Sequence, residues 1–304
     1  MITKRANAKI NLSLDVVSKR DDGYHNIKTL MAMTDFSDYL YFKKSDEVKI
    51  LPSFDFNIKD NLIYKAYEVL KNYVGFDLPF EVRIDKNIPI AAGLAGGTSN
   101  GAATFYALND LYNLNISKKD LIELSKPLGA DFTYMMTGGS KIATGIGDEL
   151  ESVIPINLDN VLLVNPGFGI STVEVYKNIK INESRIDFNE ILKAIYKLDI
   201  DKLNYFMGNK MEEFVFNKYP EIKEIKEKLI SMNGASVMSG SGATVFAIFE
   251  NEKDLNRAYN FYREIYDKTY KVKVGEDFGS FWYGTGNSWT IWREKRFPKL
   301  LYRR

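Results

Sequence analysis

The sequence predicts an α+β fold made of two domains and a short basic tail. The chain has 304 residues, about twice the length of an ordinary domain. Strand and helix patterns are mixed along it, and several strand patterns follow one another as hairpins instead of alternating with helices. We therefore expect an N-terminal domain over residues 1–155, a C-terminal domain over residues 156–278 and a tail over residues 279–304.

In the first half, the clearest element is a strand over residues 8–16, where apolar and polar residues alternate as in a half-buried strand. Asp60 is expected to cap a helix that ends at Val74, before Gly75. Ser117 and Asp120 nearly match a capping box and predict the start of another helix. The remaining patterns predict strands over 27–34, 39–44, 47–51 and 80–84, a helix over 99–114 and a hairpin over 140–151.

In the second half, the strand patterns enclose a group of helices. A turn of serine and glycine separates two short strands, and a helix and a strand follow it. The expected strands cover residues 161–165, 235–237, 244–249 and 270–274. The expected helices cover residues 172–178, 188–197, 201–215, 221–232 and 253–266.

Composition excludes several classes of chemistry. The chain contains no cysteine, which excludes disulfides, thiolate metal sites and cysteine nucleophiles. His25 is the only histidine, so a zinc site with several histidines is excluded, and so is a Ser-His-Asp hydrolase unless His25 is its base. The formal net charge of +1 gives no indication of nucleic-acid binding. With no cysteine and no targeting pattern, we expect a cytoplasmic location.

A glycine-rich segment, Pro89–Gly101, carries the strongest local signal. It lies in the longest uncharged run, residues 87–109, but its proline and glycines argue against a membrane span. Small residues allow a ligand to approach the backbone, and the segment leads into a helix whose free N–H groups attract phosphate. It has neither the Gly-Lys-Ser/Thr of a Walker A loop nor the glycine spacing of a dinucleotide-binding fold. A flexible loop with a helix cap is the alternative.

A second turn of small residues, Ser239–Thr244, lies between two predicted strands. By itself it indicates a tight hairpin. Two such turns in one chain also fit a nucleotide that is held from two sides.

Three polar groups are candidates for chemistry, and each has a simpler interpretation. Lys9 and Asn11 share one face of a strand, about 7 Å apart, where solvated side chains are the usual case. Asp131 follows a predicted helix end and would equally serve as an N-cap. Tyr24 and His25 follow an Asp-Gly turn, which is typical of a surface turn.

Taken together, these segments resemble the GHMP kinase superfamily. The resemblance covers about residues 4–276 and implies an N-terminal domain with a left-handed βαβ unit and a ferredoxin-like C-terminal domain. The matching segments, in the order typical of that superfamily, are Asn7–Leu12, Asp22–His25, Pro89–Gly101, Leu128–Asp131 and Gly240–Ala243.

The combination of Lys9-x-Asn11 with Asp22-Gly-Tyr-His25 resembles one member of that superfamily. This resemblance implies an activity: ATP-dependent phosphorylation, with Mg²⁺, of the 2-hydroxyl of a diphosphocytidyl methylerythritol in the non-mevalonate route to isoprenoid precursors. By position, Lys9 and Asp131 match the catalytic pair, while the metal ligands are not indicated. The residues that match substrate contacts are Asn11, Tyr24, His25, Thr172 and Tyr176, with Tyr24 and Tyr176 expected to enclose the cytosine. The residues that match the ATP site are Asn61, Pro89, Ile90, Ala91, Ala92, Gly93, Leu94, Ala95, Gly96, Gly97, Thr98 and Ser99.

Three departures and two alternatives accompany this interpretation. Ala95 and Thr98 stand where glycine and serine are more usual in that superfamily, and Phe132-Thr-Tyr134 follows Asp131 in place of the common Val-Pro-Phe. Another small-molecule kinase of the superfamily would not need the Tyr-His pair, and a nucleotide-binding protein without catalysis would need only the loops. The expected partner is the small cytidine diphosphate substrate, with no nucleic acid, no stable membrane anchor and a monomeric or homodimeric state.

Within the tail, residues 280–304 contain six basic residues, one acidic residue and all three tryptophans of the chain. The rest of the chain is acidic in balance. We expect the tail to dock on the acidic body or on a neighbouring subunit, because its apolar part is too short for a firm membrane anchor.

Overall fold

The computed structural model describes residues 1–53 and 57–275. Strands and helices in the first half of the described residues are β1 Ile2–Lys19, β2 His25–Lys44, β3 Lys49–Leu51, α1 Leu62–Val74, β4 Phe80–Asp85, α2 Gly96–Leu111, α3 Lys118–Ser125, α4 Ala130–Thr137, β5 Lys141–Thr144 and β6 Glu149–Ser152. Those in the second half are β7 Leu158–Val164, α5 Thr172–Asn178, α6 Phe188–Lys197, α7 Ile200–Phe206, α8 Glu212–Lys218, α9 Pro220–Ser231, β8 Gly234–Met238, β9 Val245–Phe249, α10 Glu252–Arg263 and β10 Thr269–Val274.

The N-terminal sheet is organised around the long antiparallel pair of β1 and β2. The other edge of β2 pairs with β4 and with β5, and β6 pairs with β5. Strand β3 is parallel to β4 and is joined to it through α1, which gives the expected βαβ unit. Helices α1, α2 and α4 pack their apolar residues against one face of this sheet.

The C-terminal sheet has the strand order β10-β7-β9-β8, with every neighbouring pair antiparallel. Numbered along the chain, this is the order 4-1-3-2 of a ferredoxin-like domain, as expected. The two sheets meet where Val274 of β10 pairs with Thr34 of β2. The predicted α+β class with two domains is therefore confirmed, while the boundary at residues 155 and 156 stays a prediction.

Several elements differ from the expectation. The two strands predicted over 27–34 and 39–44 are one strand, β2, and the helix predicted over 201–215 is two helices, α7 and α8. Asn61, not Asp60, caps α1, and its side chain accepts a hydrogen bond from Ile63 N. Strand β1 is buried on both faces instead of half-buried, because α2 packs across it on one side.

The two predicted helix ends at Gly75 and Ser117 are confirmed. Gly75 ends α1 in the left-handed conformation, with φ +80°, and Ser117 caps α3 by accepting from Asp120 N. In the described part of the chain, no helix combines the length and the apolar character needed to cross a membrane. The tail predicted over residues 279–304 lies outside the described residues.

Candidate active site

A cavity of about 500 Å³ lies between elements of the first and the second half of the chain. It is lined by residues from β1, the loop before α2, the first turn of α2, α4, α5 and the turn after β8. The predicted site residues that line it are Lys9, Asn11, Asn61, Pro89, Ile90, Ala91, Ala92, Gly93, Ala95, Gly96, Gly97, Thr98, Asp131, Thr172 and Tyr176. The structure thus brings most of the predicted site together.

The glycine-rich loop presents the N-terminus of α2 to this cavity. The helix begins at Gly96, three residues before the predicted start, and its N-cap is Ala95, whose side chain has no group that accepts a hydrogen bond. The first N–H groups of α2 therefore have no partner within the helix. Such a helix end attracts phosphate through these groups and the helix dipole.

The two glycine-rich turns are in direct contact. Ser239 Oγ donates a hydrogen bond to Gly93 O at 2.9 Å, and Thr244 N donates to Ala92 O at 3.3 Å. Gly240 and Ser241 line the same cavity. The second turn is thus a hairpin and also a wall of the site, so the two interpretations of it are compatible.

Lys9 and Asn11 are buried, with 4% and 3% of their surfaces exposed. Their interpretation as solvated side chains is therefore wrong, because both faces of β1 are covered. Lys9 Nζ donates a hydrogen bond to Asn11 Oδ1, and Asn11 Nδ2 donates to Thr29 Oγ1 at 2.8 Å. Burial lowers the pKa of Lys9, and the negative charge of Asp131 opposes that effect.

Asp131 lies in the first turn of α4 and lines the cavity. The N-cap of α4 is Gly129, so the interpretation of Asp131 as an N-cap is wrong. Its negative charge partly offsets the effect of burial on the pKa of Lys9, and it adds to the effect of burial, which raises the pKa of Tyr176. A carboxylate and a buried ammonium thus share one cavity with an anion-binding helix end.

The residues expected to hold the cytosine are only partly assembled. Tyr176 lines the cavity, and the His25 ring stacks on it at 5.1 Å between centroids. Burial lowers the pKa of His25, and the charge of Lys19 adds to this effect. Neither Tyr24 nor His25 lines the cavity itself, and Tyr24 is 62% exposed on its turn.

Two residues of the predicted ATP loop do not line the cavity. Leu94 is buried in the apolar cluster between the sheets. Ser99 is fully buried inside α2, and its hydroxyl has no hydrogen-bond partner among the described residues.

The sequence interpretation gave no individual role to several residues that line the cavity, among them Lys86, Asn100 and Ser241. Asn100 could have been found, because it lies one helical turn after Gly96. Ser241 Oγ is 2.8 Å from Thr172 Oγ1, which joins the second turn to α5. Lys86 has no local signal, since it lies at the end of an ordinary strand pattern.

The described residues contain no cluster of three or more side chains that could hold a metal ion alone. Asp60 and Asp131 supply carboxylates to the cavity. This donor set fits Mg²⁺, which keeps several waters and is commonly bound through one or two carboxylates together with substrate phosphates.

Comparisons with known proteins agree with this architecture. Residues 61–145 match the model of the GHMP kinases N terminal domain, and residues 191–268 match that of the GHMP kinases C terminal domain. A 4-diphosphocytidyl-2-C-methyl-D-erythritol kinase from Thermoanaerobacter pseudethanolicus is 40% identical, over 90% of this chain and 96% of its own. The enzyme of the same name from Geobacillus sp. strain WCH70 is 39% identical, over 89% and 96%.

A solved structure leads to the same family. The crystal structure of a 4-(cytidine 5'-diphospho)-2C-methyl-D-erythritol kinase matches with a TM-score of 0.78 and 26% identity. The match covers 90% of this chain and 99% of that one. With its two GHMP domains and relatives of this identity along nearly their whole length, the chain belongs to the 4-diphosphocytidyl-2-C-methyl-D-erythritol kinase family of the GHMP kinases.

Proposed function

We propose that the protein transfers the γ-phosphoryl group of ATP to the 2-hydroxyl of 4-diphosphocytidyl-2-C-methyl-D-erythritol, a step in isoprenoid precursor synthesis. The observation that carries this proposal is the cavity that Lys9 and Asp131 line together with the N-terminus of α2, which has no side-chain cap. The names of the relatives supply the identity of the acceptor.

In this proposal Asp131 is the general base. An alcohol is a poor nucleophile, and a carboxylate that takes its proton as the phosphoryl group moves assists the attack. Lys9 stabilises the negative charge that develops on the transferred group. The buried position of Lys9 strengthens this interaction, because charges interact more strongly away from water.

The ATP phosphates would lie against the first turn of α2, with the backbone of Gly96, Gly97 and Thr98 donating to them. Asn61 would border the adenine side of the cavity. A Mg²⁺ ion brought with ATP would have Asp131 as a carboxylate neighbour, and it would neutralise part of the phosphate charge.

The cytidyl substrate would occupy the part of the cavity that is lined by Asn11, Thr172 and Tyr176. Tyr176 offers an aromatic face to the base. His25, which already contacts that ring, would reach the edge of the cytosine, and Tyr24 would cover the base from the exposed turn. The cytoplasmic location and the monomeric or homodimeric state stay predictions.

Substrate discrimination tests this proposal. ADP formation is measured with ATP and Mg²⁺ in three reactions: with the cytidyl substrate, with 2-C-methyl-D-erythritol 4-phosphate, which lacks the cytidyl group, and with no acceptor. We expect turnover only in the first reaction. Equal turnover of both acceptors would favour another kinase of the superfamily. ATP binding without any turnover would favour a nucleotide-binding protein without catalysis.

A further inference from the structure

Asp38 is a buried carboxylate outside the cavity that the mechanism above does not use. It lies on β2 and has no exposed surface. One of its oxygens, Oδ1, accepts hydrogen bonds from the backbone N–H groups of Asn87 and Ile88, both at 2.8 Å. The other, Oδ2, is 2.9 Å from Lys86 Nζ in an ion pair. A carboxylate this deeply buried is costly unless such partners compensate it.

All three partners of Asp38 belong to residues 86–88, the segment that connects β4 to the phosphate-binding loop. A second contact holds the same segment, since Asn87 Nδ2 donates to the backbone oxygen of Ser37 at 2.8 Å. Strand β2 thus fixes the point where the loop begins.

This segment also supports the first residue of α2. A Cβ atom on Gly96 would lie 2.7 Å from Ile88 Cγ2 and 3.4 Å from Lys86 Nζ. The N-terminus of α2 therefore packs directly on side chains whose backbone and charge are held by Asp38. A shift of residues 86–88 would displace the helix end that faces the phosphates.

Lys86 extends this arrangement into the cavity. Its side chain lines the cavity and is mostly buried, and its ammonium group also donates a hydrogen bond to Ile88 O. The carboxylate of Asp38 hence determines where one of the cations of the cavity lies.

We propose that Asp38 is a positioning residue for ATP, which acts by fixing the Lys86 ammonium and the first turn of α2. This inference rests on the proposed function. The competing explanation is that the ion pair of Asp38 and Lys86 only stabilises the fold. The two explanations predict different effects on substrate binding. A positioning role weakens the binding of ATP specifically, whereas a purely structural role would affect ATP and the cytidyl substrate alike.

The main test uses Asp38→Asn, which keeps an oxygen for the N–H groups of Asn87 and Ile88 but removes the charge that holds Lys86. We expect the KM for ATP to rise about tenfold or more, because small displacements of a binding group have large effects. The KM for the cytidyl substrate should stay within about twofold. Asp110→Asn is the matched control, since Asp110 pairs with the buried Lys4 at 2.7 Å and does not line the cavity. A similar change in both KM values, or an equal effect of the control, would overturn the proposal.

A double-mutant cycle tests the route of the effect. If Asp38 acts largely through Lys86, the double variant Asp38→Asn with Lys86→Met should lose less ATP affinity than the sum of the losses in the two single variants. Full additivity, or a Lys86→Met variant that binds ATP normally, would refute the proposal. Should Asp38→Asn fail to fold, Asp38→Glu keeps the charge and displaces it by one methylene, with the same expected split between the substrates.

ATP affinity is measured by calorimetry without the acceptor, together with the melting temperature of each variant. This measurement separates the positioning role from the proposed function. If the wild-type protein binds ATP but does not turn over the cytidyl substrate, the proposed function fails. The comparison of ATP affinities among the variants still decides the role of Asp38.

Discussion

Gly93→Ala would test whether contact between the two glycine-rich turns is needed for catalysis. A Cβ atom at this position would lie 2.0 Å from Ser239 O and 3.1 Å from Gly242 O. A real Cβ atom essentially never lies within 3.0 Å of another nonbonded heavy atom, and both neighbours here are backbone atoms, which cannot rotate away as a flexible side chain can. The turns must therefore separate by about 1 Å, and a displacement of that size can cost about 10²-fold in rate. We expect kcat/KM to fall by about 10²-fold.

Gly75→Ala is the matched control for this variant. Gly75 has φ +80° and Gly93 has φ +75°, but an added Cβ at Gly75 has no neighbour within 4 Å. Both variants should lose about 1–2 kcal/mol from the left-handed backbone, and Gly93→Ala should lose more because of the clash. Steady-state kinetics and thermal melting are compared for the two proteins. Normal activity of Gly93→Ala, or an equal loss of activity in Gly75→Ala, would refute the reasoning.

Four further predictions concern the residues of the site. Asp131→Asn should lower kcat by about 10²–10⁴-fold while ATP still binds; Asp201→Asn, in the first turn of α7, is the control, and near-normal turnover would reject Asp131 as the base. Tyr24→Ala should weaken binding of the cytidyl substrate by about 1–3 kcal/mol and leave ATP binding nearly unchanged, as measured by calorimetry; an equal loss for ATP would contradict two separate pockets. Ala95→Gly should raise the free energy of unfolding by about 0.5–1 kcal/mol, because Ala95 has φ +55° and the relief of that strain exceeds the entropy cost of glycine; a lower melting temperature would contradict this. Activity should decline on the alkaline side below the usual pKa of lysine, because burial lowers the pKa of Lys9, and Asp131→Asn should move that decline to lower pH; a profile that is flat to the ordinary lysine range would exclude an essential charged Lys9.

Most elements of the fold follow from local patterns, and the errors have tertiary causes. The sequence predicts two strands in place of β2, because polar residues interrupt the apolar pattern near Ser37 and Asp38. Both are buried and satisfied by contacts with other segments. The sequence predicts a single helix over 201–215, because the apolar spacing continues from Leu203 to Val215. It is broken at Asn209, whose side chain donates to Met238 O and Gly240 O instead of facing solvent.

The site residues that belong to sequence motifs were predictable. Those that reach the cavity only through tertiary packing were not. The order of the short motifs indicates the loop, Lys9 and Asp131. Lys86 lines the cavity and forms an ion pair with Asp38, which lies 48 positions earlier in the sequence, so no local pattern indicates its place. The burial of Lys9 and Asn11 likewise depends on what covers the second face of β1, and strand alternation carries no information about that.

The electrostatics of Lys9 connect the catalytic pair with the phosphate-binding loop. Burial disfavours the charged ammonium, and Asp131 compensates for only part of this effect, since the pKa of Lys9 is lowered overall. Bound ATP phosphates would add negative charge in the same cavity and would favour the charged form. Protonation of Lys9 and binding of ATP therefore stabilise each other. It follows that Asp131→Asn removes a base and also lowers the fraction of Lys9 that is protonated. The loss of activity in this variant therefore measures both effects together.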